Sequence, residues 1–212
     1  MAFYPFNEAT GTSAADLSGN EYTATMVGGA SFTPGGLTGN GNAATMNGNG
    51  QYVSLPSGIV AGLTDFSVTA WVYQSAAVLN ARVFDFGTGT TNYMLLCPNT
   101  SGGTRRVFGI TTTGVSGELK VSGPAFATAS WLHVAITLSG TLGTFYLNGS
   151  EAGTNASITL SPNSLGMTTK NLLGRSQFYP TDADFNGKID NFRIYNRSLT
   201  AAEIAQIYKS KL

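Results

Sequence analysis

Short runs of alternating apolar and polar residues fill this chain, separated by clusters of Gly, Asn, Ser and Thr. Alternation with a period of two places successive side chains on opposite faces of a strand. Many such runs between turn clusters are the pattern of a sandwich or barrel. The pattern predicts strands over Phe3–Phe6, Gln51–Leu55, Phe66–Tyr73, Arg82–Gly87, Tyr93–Cys97, Arg106–Thr111, Glu118–Ser122, Leu132–Leu138, Thr144–Leu147, Asn171–Gly174 and Lys188–Tyr195. Phe66, Val68, Ala70 and Val72 fall on one face of their strand, and Ser67, Thr69, Trp71 and Tyr73 on the other. Large side chains on both faces predict a central strand covered on both sides. Leu132, Val134, Ile136 and Leu138 form a second regular apolar face. Asn148-Gly149 between two runs predicts a type I′ hairpin turn, because both residues tolerate positive φ. One helix is predicted at the C-terminal end. Thr200 and Glu203 form a capping box, Leu199 and Ile204 occupy the staple positions, and Ile204, Ile207 and Tyr208 make one apolar stripe.

The strand from Lys188 to Tyr195 carries a carboxylate. Simple alternation puts Asp190 on the same side as Phe192 and Ile194. An unpaired carboxylate is costly to desolvate, so a partner is expected: a metal ion, backbone N–H groups or an arginine.

Composition narrows the function classes. The 212 residues fit one domain, taken as 1–212, with a core large enough to need no disulfide staples. Only 10% of residues are charged and the formal net charge is zero, so nothing electrostatic favours nucleic acid or an acidic membrane. No apolar run is long enough to span a bilayer. The single cysteine, Cys97, excludes a disulfide framework and is expected to pack as a small apolar group. No secretory leader is visible before the first strand. The Gly-rich stretch Asn47–Gly50 lacks the Lys-Ser/Thr and the following helix of a phosphate-binding loop.

Several stretches together resemble the laminin-G-like (LamG, concanavalin A-like) jelly-roll domains of microbial surface proteins and glycosidase-associated modules. They are Phe3-Tyr-Pro-Phe-Asn7, Asp16-Leu-Ser-Gly-Asn20, Asn47 to Pro56, Phe66-Ser-Val-Thr-Ala-Trp71-Val, Trp131-Leu-His133-Val-Ala, Phe145-Tyr-Leu-Asn-Gly149, Leu173-Gly-Arg, and Asn186 to Tyr195 followed by Leu199 to Ile204. Their order along the chain matters more than any one of them. The resemblance implies an all-β fold: a two-sheet antiparallel jelly-roll sandwich with one short C-terminal helix. It also implies a structural calcium ion, with Asp16 at the acidic loop position, Asn20 in the same loop and Asp190 at the strand position. Calcium takes six to eight oxygen ligands, carbonyls included.

The remaining chemistry is sparse. His133 is the only histidine and is expected to be structural, buried and hydrogen-bonded. Glycoside hydrolysis needs two carboxylates flanking the bond. Jelly-roll glucanases carry them in a Glu-x-Asp-x-x-Glu-type run, which this chain lacks, so a non-catalytic protein is expected. Sugar binding uses an aromatic platform with polar groups at its edge. Trp71 and Trp131 lie in core motifs and are expected to be unavailable. That leaves Phe178 and Tyr179, flanked by Arg175, Gln177 and Asp182, with Tyr93 as a further loop aromatic. Arg105-Arg106 is a second polar candidate. Three functional readings follow: a lectin-like module for surface glycans, a phage virion decoration or tail protein with capsid partners, and a glucanase. The location is extracellular or cell-surface for a module of a secreted protein, and the virion surface for a phage protein.

Overall fold

The structure is a computed structural model and describes residues 1–39, 41–100 and 106–211. The predicted alternation becomes strand pairing along β1 (Ala2–Tyr4), β2 (Ser13–Ala14), β3 (Ala24–Val27), β4 (Ser31–Pro34), β5 (Asn42–Asn47), β6 (Tyr52–Leu55), β7 (Phe66–Gln74), β8 (Phe84–Gly89), β9 (Asn92–Leu96), β10 (Arg106–Thr111), β11 (Leu119–Ser122), β12 (Trp131–Ser139), β13 (Leu142–Leu147), β14 (Ser150–Asn155), β15 (Lys170–Leu173) and β16 (Asn186–Tyr195), followed by helix α1 (Ala201–Ser210). All pairings are antiparallel. Sheet I runs β14-β13-β12-β7-β16-β5-β4, with β1 also on β16, and sheet II runs β11-β10-β9-β8-β15-β6-β3-β2. All the predicted strands are present, with ends shifted by a residue or two. Strands β2 to β5 escape the pattern. Their buried positions are mostly Ala, as at Ala14, Ala24, Ala43 and Ala44, which alternation of large residues does not reveal.

The inner faces of the two sheets meet in one core. Phe66, Val68, Ala70 and Val72 of β7 and Leu132, Val134, Ile136 and Leu138 of β12 face it from sheet I. From sheet II, Phe84 and Phe86 pack edge-on against Phe192 of β16, each at 6.3 Å. Each fully buried Phe of this kind contributes about 1.5–3 kcal/mol relative to exposure.

Strand β16 departs from simple alternation. On one side it pairs first with β5, up to Ile189, and then with β1, from Phe192. Between these segments its ladder with β7 slips, between Asp190 and Arg193, and Asn191 takes φ 47°. A bulge inserts one residue and so flips the faces beyond it. Ile189, Phe192 and Ile194 therefore all face the core, while Asp190 lies across from Trp71, on the outer face of sheet I. The expectation that Asp190 shares a face with Phe192 and Ile194 is thus corrected. It missed the bulge.

Helix α1 covers part of that outer face. Thr200 Oγ1 accepts from Glu203 N–H and the Glu203 carboxylate accepts from Thr200 N–H, closing the predicted capping box. Leu199 and Ile204 are buried with Ala135 and Tyr146 of sheet I. The Asn148-Gly149 turn has φ of 51° and 79°, as a type I′ turn requires. It also lies against the helix. A Cβ on Gly149 would come within 2.9 Å of Tyr208 Cδ1.

Gly149→Ala is expected to lower stability by at least about 1 kcal/mol, seen as a lower urea midpoint. Gly140→Ala provides the control, since Gly140 has φ 57° and no neighbouring atom within 4 Å of its Cβ. A larger loss at Gly149 measures the contact with Tyr208; equal losses would show that the helix yields freely there.

Candidate functional site

Sheet II presents a cleft on its outer face. In β6 the alternation sends Val53 and Leu55 to the core, so Tyr52 and Ser54 point outward. In β15 it sends Leu173 inward, and Leu172, in register with Ser54, points outward with Lys170. After β15 the chain turns at Gly174, φ 85°, and loops back over this face. The loop closes where Phe185 N–H donates to the Gly174 carbonyl at 2.8 Å. Tyr52, Ser54, Lys170, Leu172, Arg175, Gln177 and Tyr179 line the resulting cleft of about 320 Å³.

The loop is tied down by charge. Arg82 is 2% exposed and reaches Asp182 at 2.7 Å and Asp85 at 3.5 Å. Asp182 also accepts from Ser176 Oγ at 2.8 Å, and Asp85 accepts from Gln177 N–H at 3.0 Å. Gln177 Nε2 donates to the Lys170 carbonyl at 2.8 Å, joining the loop to β15. A second pair holds the cleft itself. Arg175 donates to both oxygens of Asp184, at 2.9 and 2.7 Å. Hydrogen bonding to Asp184 raises the Arg175 pKa above its ordinary value. The fixed guanidinium lies over the rings of Tyr52, at 4.3 Å, and Tyr179, at 3.8 Å. Such cation–π contacts orient the rings as well as attract them. Tyr179 remains 48% exposed.

The structure separates the sugar-contact candidates. Arg175 and Tyr179 line the cleft. Phe178 turns down and packs edge-on against Tyr93 at 5.6 Å. Tyr93 is fully buried and donates its hydroxyl to Glu118. Asp182 serves Arg82 and Ser176 and does not line the cleft. Tyr52, Ser54 and Lys170 were not anticipated. The alternation within 51–55 could have pointed Tyr52 outward, but nothing in the sequence says which outward face a distant loop will cross. Arg105 lies outside the described residues, and Arg106 opens β10. Trp71 and Trp131 are expected to be unavailable. Both occupy outward positions of sheet I: Trp71 is buried under Tyr208, and Trp131 is half-buried.

A profile of the Laminin_G_3 family, described as Concanavalin A-like lectin/glucanases superfamily, matches residues 47–205. The chain belongs to this superfamily. A search of curated proteins gives no match. Among solved structures, domain 4 of AbnA, a GH43 extracellular arabinanase from Geobacillus stearothermophilus in complex with arabinotriose, superposes with a TM-score of 0.78 at 24% identity, covering 98% of this chain and 97% of that one. Trypanosoma rangeli sialidase in complex with sialic acid gives a TM-score of 0.70 at 18% identity over 99% of this chain. A mutant of that sialidase displaying trans-sialidase activity gives 0.72 at 17% identity over 100%. The chain spans only about a third of those sialidases, 32% and 33%. At these identities the likeness shows the fold alone.

The superfamily resemblance implies calcium at Asp16, Asn20 and Asp190, and the donor set can be tested. Asp16 Oδ1 accepts from Phe3 and Ser18 N–H, both at 2.8 Å, and Oδ2 accepts from Ser18 Oγ at 2.8 Å and Tyr22 N–H at 3.2 Å. Burial pushes this carboxyl up, but those donors together outweigh it and hold the pKa below its ordinary value. Four donors fill the lone pairs a cation would need. Asn20 donates its Nδ2 to the Met1 carbonyl and Ser18 Oγ. Asp190 accepts from Leu37 N–H at 2.8 Å and Asn191 N–H at 2.7 Å. Burial raises its pKa, and these two donors offset only part of that. Among the described residues no three His, Cys, Asp or Glu side chains converge. This arrangement does not fit a calcium ion shared by Asp16, Asn20 and Asp190, and backbone N–H groups answer the carboxylates instead. The melting temperature is expected to be the same in calcium and in excess chelator. A fall in chelator would show that loop carbonyls recruit a cation after all.

His133 is buried, but not as expected: neither ring nitrogen has a hydrogen-bond partner among the described residues. Its ring packs edge-on against Trp71 at 5.3 Å and lies 6.1 Å from Tyr208. Burial, with the nearby Arg193 charge, lowers its pKa to about 4 from 6.5. The unfolded chain therefore binds a proton below pH 6.5 that the folded chain refuses until about pH 4. Stability from this source is complete above pH 6.5 and is lost as pH falls toward 4, by on the order of 3 kcal/mol. His133→Phe keeps the packing and should flatten this part of the stability–pH profile in urea titrations. An identical decline in the variant would assign the acid loss to the carboxylates.

Proposed function

We propose that this chain is a non-catalytic carbohydrate-binding module and that its saccharide lies in the cleft on sheet II. The observation that carries the reading is the Tyr179 ring, exposed on one side and clamped on the other by Arg175, which Asp184 holds bidentately. A pre-set aromatic face binds the C–H side of a sugar ring with little ordering cost. Ser54, Lys170 and Gln177 surround it with groups suited to sugar hydroxyls. Among the described residues no Asp or Glu lines the cleft, whereas glycoside hydrolysis uses two facing carboxylates. Polysaccharide or surface glycan is the partner, and an extracellular or cell-surface setting suits it. The arabinotriose complex of the arabinanase domain supports arabino-oligosaccharides as first probes.

Titration of arabinotriose and a glycan panel by calorimetry is expected to give saturable binding. Tyr179→Ala should weaken it about 5- to 10-fold, the value of one aromatic stack. Phe178→Ala should mainly lower the melting temperature, because Phe178 covers Tyr93. Saturable binding unchanged in Tyr179→Ala would place the saccharide elsewhere, and reducing-sugar release would make the protein an enzyme.

A further inference from the structure

A second cavity, of about 390 Å³, opens on the opposite side of the sandwich, at the outer face of sheet I. Trp71 of β7, Trp131 of β12, Asn148 of the I′ turn, and Tyr208, Lys209 and Lys211 at the end of α1 line it. Strand register brings its floor together: Trp71 lies across from His133 and Trp131 across from Tyr73. The helix then lays Tyr208 on Trp71, with the rings stacked at 5.6 Å and 26°.

The hydrogen-bonding groups of this cavity are unbalanced. The Trp71 side chain has one polar atom, the Nε1 donor. It is buried and meets no acceptor among the described residues. Buried donors in folded proteins are almost always paired, with protein, water or ligand. Asn148 Oδ1 already accepts from His133 N–H at 3.0 Å, which leaves the Asn148 amide hydrogens as donors. Lys209 and Lys211 add two exposed ammonium groups, and among the described residues no acid lines the cavity. Asp190, in register with Trp71, is held by the Leu37 and Asn191 amides. The neighbouring His133 stays neutral at ordinary pH. The cavity therefore offers donors and positive charge, between the half-buried aromatic faces of Trp131 and Tyr208. Its complement is a group with an apolar ring face and an anionic, acceptor-rich edge.

We propose that this cavity is a second saccharide site, selective for a sugar that carries a carboxylate, a uronic acid unit. The sugar ring lies against Trp131 and Tyr208. A ring or carboxylate oxygen accepts from the Asn148 amide beside the buried Trp71 indole, and Lys209 and Lys211 hold the charge. The site does not depend on the cleft of sheet II, and the sandwich thus presents one site on each outer face.

The probe is an oligomer of galacturonic acid, titrated into the full chain by calorimetry and by 15N–1H correlation spectroscopy. The chain has only two tryptophans, so its two indole N–H signals are easily told apart. Saturable binding is expected, with a large shift of the Trp71 indole signal and a loss of affinity as salt rises. Trp131→Ala should weaken binding about 10-fold. The Lys209→Ala, Lys211→Ala pair alters only exposed side chains, so it keeps the fold; it should weaken binding several-fold and flatten the salt dependence. Tyr179→Ala should leave this binding unchanged, whatever it does to arabinotriose. The proposal is overturned if no saturable binding occurs or if the Trp71 indole signal stays still on saturation. It is equally overturned if the lysine pair has no effect, or if Tyr179→Ala abolishes binding, which would put the acidic sugar in the cleft of sheet II.

Discussion

Every sheet has two faces, and in this protein the central strands carry large side chains on both. The inner faces of sheets I and II bury one another. The outer faces cannot, yet β7 puts Trp71 there, β9 puts Tyr93 and Leu95 there, and Cys97 follows directly after β9. Leaving such residues in water would forfeit about 25 cal/mol for each Å² of apolar surface. Each outer face is therefore covered by a piece of chain recruited from the C-terminal third: α1 on sheet I and the loop between β15 and β16 on sheet II. Both cavities lie at the margins of these covers, where an aromatic surface begun under the cover continues toward solvent.

The two covers are attached by different physics. Helix α1 is held by apolar contact of Leu199 and Ile204 with Ala135 and Tyr146, and its start is set by a capping box. The loop on sheet II packs Phe178 on Tyr93 and is otherwise held by charge. Arg82 is inside the protein with Asp85 and Asp182 around it. A buried ion group of this kind adds little net stability relative to a well-packed apolar cluster, but removing one member is costly, about 3–5 kcal/mol. Its value here is positional. It dictates one path for the loop, and that path brings Arg175 between Tyr52 and Tyr179 and leaves one face of Tyr179 open.

Asp190 shows how a single inserted residue redirects a functional reading. On an unbroken strand it would face the core and demand a strong partner. The bulge turns it outward, where the Leu37 and Asn191 amides suffice. The bulge also lets β16 exchange β5 for β1 as its neighbour. Asp16 follows the same principle at the start of the chain, its carboxylate organising the loop through Phe3, Ser18 and Tyr22. Both acids act as clamps on backbone.

Much of the scaffold was legible in the residues alone. Period-two alternation located the strands with large side chains, Asn148-Gly149 announced its turn, and Thr200 with Glu203 announced the helix start, because each of these is a local property of a few consecutive residues. The mostly Ala buried positions of β2 to β5 gave no such signal. The candidate site was half legible: Arg175 and Tyr179 stood out as polar and aromatic residues in a loop, but their partners did not. Tyr52 is more than a hundred residues from Arg175, Arg82 a hundred from Asp182, and Trp71 well over a hundred from Tyr208. Which outward side chains meet, and which carboxylates find donors, depends on register, on one bulge and on where the covers land. Those are set by the packing of the two sheets as a whole, so only the tertiary structure could decide them.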